Sequence, residues 1–171
     1  MKMTALFVFL MLFLSGCSSY AWERVEDTAP SVTVSVKPEQ LYKISVEMPA
    51  VVAPIDEINN CAVYATNTGD FEVETRVFPA SSYQTAVEAI SGFQADDLSV
   101  LRLESNGINE YRFSWVTNSE NSTKICSAKL FMIDLNCYAV VCKVDEGAGI
   151  AFREEESQVF ATFNLEPNDL V

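Results

Sequence analysis

The 171-residue chain contains no histidine. That removes the commonest general base, the commonest metal ligand and every Ser-His or Cys-His nucleophile pair. Only six glycines are present, and none belongs to a phosphate loop, a dinucleotide fingerprint or a nucleophile elbow. Zinc-type cysteine spacing is absent too. Cations are scarce: 11 Lys and Arg stand against 24 Asp and Glu, a formal charge of −13. Such a surface repels phosphate, so no nucleic-acid partner is expected. These absences leave no expected catalytic residue, no resident metal and no organic cofactor.

Long apolar runs are missing as well, with one exception. Ala5–Leu14 reads ALFVFLMLFL behind the single positive charge of Lys2. Ten apolar residues suit a signal-peptide core and fall short of the roughly 20 that a spanning helix needs. The run ends Leu14-Ser15-Gly16-Cys17, which resembles a bacterial lipobox. Small residues before Cys17 let a peptidase reach the bond once the thiol is diacylated. The expected organisation is therefore a signal peptide at residues 1–16, a lipidated tether at residues 17–30 and a single domain at residues 31–171. Two or three acyl chains on Cys17 suffice for stable anchoring, where one would be marginal. The expected location is the cell membrane or outer membrane, on its extracytoplasmic side. Removal of residues 1–16 takes Lys2 with it, so the charge moves from −13 to −14.

Four further cysteines remain: Cys61, Cys126, Cys137 and Cys142. In an exported chain they allow two disulfides, with buried free thiols as the alternative. Cys126 and Cys142 each lie eight residues from Asp134. A hairpin centred on Asp134-Leu135-Asn136 sets them opposite one another on inward faces, within disulfide reach. That would leave Cys61 as the one bridge candidate for Cys137.

Alternation and turn chemistry divide the domain. Ser31–Val36 (SVTVSV) and Leu41–Met48 alternate as half-buried strands, and Pro49 and Pro54 make the next segment a loop. Cys61–Thr66 and Phe71–Phe78 flank Asn67-Thr68-Gly69-Asp70 as a hairpin. Then the period changes. Ser81 and Gln84 match a capping box, Tyr83, Ala86, Val87 and Ile90 share one helical face, and Gly92 suits the stop. Strand spacing resumes at Ser99–Glu104 and Glu110–Thr117, where the stripe Tyr111, Phe113 and Trp115 reads as core rather than as a binding platform. Thr123–Met132 and Cys137–Val144 make another hairpin. Ile150–Asn164 reads as a helix with Glu154, Glu155 and Glu156 at its positive end. The class is α+β: an antiparallel β-sheet flanked by helices, one of them C-terminal.

This order of elements, with "YKISVEMPA" opening the sheet, "YQTAVEAISGF" as first helix, "YRFSWV" as a long strand and "FATFNL" closing the last helix, resembles the PsbP-like superfamily, which includes DcrB-type lipoproteins. The likeness spans Leu41–Leu165. The proline-rich stretch from Pro49 to Asn59 departs from it, since the family places an aromatic residue soon after the proline. The resemblance implies an accessory or binding protein without shared catalytic residues.

The expected function follows: a membrane-anchored, non-catalytic envelope lipoprotein whose partner is another envelope protein. One alternative is a carboxylate-based cell-wall glycan hydrolase using Asp96 with Asp97 or Asp145 with Glu146. Another is a cation or small-ligand binder built on Asp145, Glu146 and Glu154–Glu156 around Gly147 and Gly149.

Overall fold

The computed structural model describes residues 41–168, apart from residues 59, 106, 120 and 121. They fall within one compact unit, Pro38–Val171. Cys17, the expected signal peptide and tether, and the strand expected at Ser31–Val36 all lie outside the described residues.

Nine strands and two helices are described. In chain order they are β1 (Tyr42–Ser45), β2 (Ala53–Ile58), β3 (Cys61–Ala65), β4 (Phe71–Pro79), α1 (Tyr83–Ser91), β5 (Leu101–Ser105), β6 (Ile108–Asn118), β7 (Thr123–Ile133), β8 (Asn136–Asp145), α2 (Arg153–Thr162) and β9 (Asn164–Pro167). Seven strands form one antiparallel sheet in the order β2-β3-β4-β8-β7-β6-β5, and β1 pairs with β9 in a small second sheet. The class is α+β.

The centre of the large sheet is β8, and its composition explains why. Residues from Cys137 to Cys142 are apolar on both faces, and all of them are buried. A strand so patterned must be covered on both sides. One face carries Cys137, Ala139 and Val141, which cluster with Leu130, Ala128, the Tyr111-Phe113-Trp115 stripe, and Ala86, Val87 and Ile90 of α1. The aromatic stripe is core, as its spacing predicts. The other face carries Tyr138, Val140, Cys142 and Val144, clustered with Phe71, Val73, Val159 of α2 and Phe163. Phe71 stacks on Phe152 with ring centroids 5.1 Å apart.

Four expectations need correction. Residues 49–59 do not remain a loop, because Ala53–Ile58 pairs with β3 as the edge strand. Pro54 is tolerated there because an edge strand needs no donor on its outer side. The C-terminal helix ends at Thr162 rather than Asn164, since Asn164–Pro167 leaves to pair with β1. The N-cap of α1 is Ser82, whose hydroxyl accepts from the Thr85 amide, and not Ser81. Gly92 closes that helix at φ 78°, in the left-handed region that favours glycine.

The fourth correction concerns the cysteines. The β7–β8 turn has two residues, Asp134 and Leu135, at φ 47° and 61°, closed by the pair Ile133–Asn136. The expected three-residue centre is therefore wrong by half a step, and the register moves by one. Cys126 stands opposite Lys143 and Cys142 opposite Ser127. A one-residue slip exchanges the faces of a strand, so Cys126 and Cys142 belong to opposite cores and cannot be bridged in this register. Cys61 and Cys137 are no better placed, since β4 lies between their strands. All four thiols are free.

Leu135 is a γ-branched residue in a conformation that costs an L side chain roughly 1 kcal/mol, and it is 70% exposed. Leu135→Gly should therefore raise the unfolding free energy by about 0.5–1 kcal/mol. A urea titration showing no gain would mean that the side chain contributes packing which the strain conceals.

Candidate binding site

Helix α1 has nine residues and is about 13 Å long, whereas the strands beneath it have 10 or 11 residues and run about 35 Å. It cannot cover the face on which it packs. A recess remains beyond each of its ends. Beyond the N-terminal end, Tyr83 stacks on Tyr111 at 4.7 Å, and with Met132 and Leu135 these rings line a hollow of about 350 Å³. The other recess, beyond Ile90 and Ser91, encloses about 370 Å³ and is the chemically richer one.

Its floor is ionic. On β4, Phe71, Val73 and Val77 face one core, so Glu72, Glu74 and Arg76 must face the other. There they meet Lys143, the one charged residue along the apolar run of β8, and Lys124 at the start of β7. Lys143 Nζ donates to Glu72 at 2.8 Å and to Glu74. Arg76 Nε donates to Glu74 at 2.8 Å. Lys124 Nζ lies 3.7 Å from Glu72 and donates to the Gly69 carbonyl at 3.3 Å. Hydroxyls and an amide make the rim, from Ser91, Thr117, Asn118, Ser119 and Ser122, with Trp115 and Cys126 as apolar wall. Three cations thus meet two carboxylates, in a chain whose net charge is −13.

Burial alone would raise the carboxyl pKa of Glu74, but hydrogen bonding to Lys143 and the charges of Lys143 and Arg76 outweigh it and hold the group below its ordinary value of 4.5. For Lys143, burial is likewise outweighed by Glu72 and Glu74, which raise it above 10.5. The two shifts have definite linkage. Stability from Glu74 is present above pH 4.5 and is lost as pH falls through its lowered value. Stability from Lys143 is present below pH 10.5 and is lost as pH rises through its raised value. The network is whole between those limits.

Burial also governs the thiols. It pushes Cys137 up to about 12 and Cys142 higher, and it raises Cys126 and Cys61. None of the four is a thiolate at neutral pH, so none offers an activated nucleophile.

The carboxylates singled out in the sequence are dispersed. Asp96 and Asp97 are exposed on the 3-10 turn Ala95–Asp97. Asp145 ends β8, Glu146 opens the following 3-10 turn, and Glu154–Glu156 occupy the first turn of α2. Among the described residues no three His, Cys, Asp or Glu side chains converge into a group able to hold a metal ion. The ionic floor itself was missed by sequence reasoning. Its one signal was Lys143, a lone charge inside CYAVVCKV.

No family model matches the chain, and no curated protein does. Solved structures do. The cyanobacterial PsbP (CyanoP) of Synechocystis sp. PCC 6803 is similar at 9% identity and a TM-score of 0.52, over 73% of this chain and 92% of that one. The fold is PsbP-like. LpqN of Mycobacterium tuberculosis, a protein described as involved in cell envelope biogenesis, matches at 8% identity and a TM-score of 0.52, over 74% of this chain and 84% of its own. A Bacteroides thetaiotaomicron protein matches at 13% identity and a TM-score of 0.49, and this chain spans only 46% of its length. Among the described residues no helix is long and apolar enough to cross a membrane.

Proposed function

We propose that this PsbP-like chain is a lipid-tethered accessory module of a bacterial envelope, which holds an anionic or hydroxyl-rich group of another envelope protein and performs no chemistry on it. The observation that carries the reading is the recess over Lys143, where the scarce cations of an acidic chain are gathered beneath a rim of hydroxyls. An α-helix laid against each face of the antiparallel sheet stiffens the floor, which favours a preformed binding surface. The Leu14-Ser15-Gly16-Cys17 motif supports the tether through acylated Cys17, and the envelope role described for LpqN agrees with the location.

The test uses the full chain in its host with a photoreactive side chain at Asn118 on the rim or, as control, at Glu154 on α2. A protein adduct is expected from Asn118 and not from Glu154, and Lys124→Glu should abolish it. Equal adducts from both positions, or an adduct indifferent to Lys124→Glu, would sink the binding reading. Cys17→Ala should release the chain from the membrane, and its intact mass should lack acyl chains. An unacylated wild-type protein cut elsewhere would remove the tether.

A further inference from the structure

The two edges of the seven-stranded sheet are treated differently. At one edge, β2 carries Pro54 and a register irregularity between Pro54 and Asp56. Each of these devices blunts an edge against pairing with another strand. At the other edge, β5 reads Leu101-Arg102-Leu103-Glu104-Ser105, with no proline and regular register against β6. Leu101 is 54% and Leu103 40% exposed. On the same face, Val116 of β6 and Ile125 of β7 stand opposite each other and are exposed too. Among the described residues this edge has neither proline nor bulge, and Arg102 and Glu104 give it charges of opposite sign, so it is open to a strand of complementary charge.

We propose that the partner is a second copy of this chain, joined β5 to β5 in antiparallel fashion about a two-fold axis through Leu103. The sequence of the strand selects this register. Centring on Leu103 sets Arg102 opposite the partner's Glu104 and Glu104 opposite the partner's Arg102, so both charged positions are complementary. It also sets the two Leu103 side chains against each other on the aliphatic face. A shift of the centre to Arg102 or Glu104 would oppose like charges instead.

The main chain agrees with this choice. Two residues connect β5 to β6, and the closing pair is Ser105–Ile108. In such a hairpin the closing pair is hydrogen-bonded, so the main-chain groups of Leu101 and Leu103 are spent on β6, and those of Arg102 and Glu104 turn to the edge that no other strand among the described residues covers. In the proposed dimer Arg102 and Glu104 become the hydrogen-bonded pairs. Leu103 meets its symmetry mate at the close, non-hydrogen-bonded position, where Cα atoms lie about 4.5 Å apart. A five-residue strand with two leucines per side is a small interface, weak in dilute solution. Tethering copies to one membrane would raise their effective concentration and populate it. The inference is independent of the recess over Lys143.

The non-hydrogen-bonded geometry allows a disulfide across the axis. The full chain carrying Leu103→Cys is oxidised mildly in the cell envelope, with the wild-type chain as background for its own thiols. A covalent dimer is expected from Leu103→Cys. It is not expected from Leu101→Cys, whose symmetry mate is about 13 Å away along the strands. Arg102→Glu or Glu104→Arg alone should cut the Leu103→Cys dimer by roughly tenfold or more, and the double exchange should restore it. Lys124→Glu should leave it unchanged, which separates this result from the binding reading. Dimer from Leu101→Cys equal to that from Leu103→Cys, no dimer above background, or yields indifferent to charge reversal would overturn the proposal.

Discussion

Lys143→Met should lower the unfolding free energy by about 3 kcal/mol, because among the described residues it leaves buried Glu74 paired with Arg76 alone and Glu72 with Lys124 at 3.7 Å. Glu74 is 5% exposed, so water cannot replace what the ammonium supplied. Methionine keeps the length of the stem and so leaves little cavity, which makes the loss electrostatic rather than steric. The pH dependence distinguishes the two. Without Lys143, the burial of Glu74 is less well opposed, and its pKa should rise above the ordinary 4.5. A carboxyl raised in the folded state is destabilising at neutral pH and recovers as pH falls through its folded pKa. The gap between variant and wild type should therefore narrow on acidification from pH 7 toward pH 4.5. Denaturant titrations at both pH values decide it. A gap that is constant with pH would show that packing, not charge, is what Lys143 contributes.

Lys129→Met is the second large effect, expected at about 2 kcal/mol. Lys129 is 6% exposed on β7, and its Nζ donates to the carbonyls of Phe160 at 3.0 Å and Phe163 at 3.3 Å. Those carbonyls close the last turn of α2, where a cation meets the negative end of the helix. Glu110 lies 3.5 Å away, and the Phe131 and Phe163 rings bracket the ammonium with centroids at 5.2 and 5.5 Å. Burial lowers the Lys129 pKa against the opposing pull of Glu110. Its linkage therefore has the opposite sign to that of Lys143: its contribution to stability grows as pH rises from its lowered value toward 10.5. The variant should lose hydrogen-exchange protection first at Phe163, whose amide donates to the Val159 carbonyl. A loss below 0.5 kcal/mol, or exchange unchanged at Phe163, would mean that α2 is held by Val159 and Phe163 packing alone.

The alternation of β4, β6 and β7, the strand character of β8, the helical period from Tyr83, the Gly92 stop and the core role of Tyr111, Phe113 and Trp115 were all legible in the chain, because each depends on residues within one turn or one strand. The N-terminal motif ending in Cys17 is local chemistry too, and it lies outside the described residues. Pairing partners were not legible. The strand at Ala53–Ile58 is hidden by its proline until its edge position is known, and β1 and β9 are four-residue segments that specify nothing except each other. The cysteine pairing failed on a single residue of turn length, because side-chain direction reverses with every step along a strand. The ionic floor lay beyond reach for a related reason. Glu72, Glu74 and Arg76 have the polar alternation of a solvated strand face. Only the central position of β8, apolar on both sides, obliges that face to be roofed by α1, and only the shortness of α1 leaves its far end open above Lys143. Local periodicity determined which residues form strands and helices; the order of strands in the sheet, set by which faces must be buried, decided which charges meet.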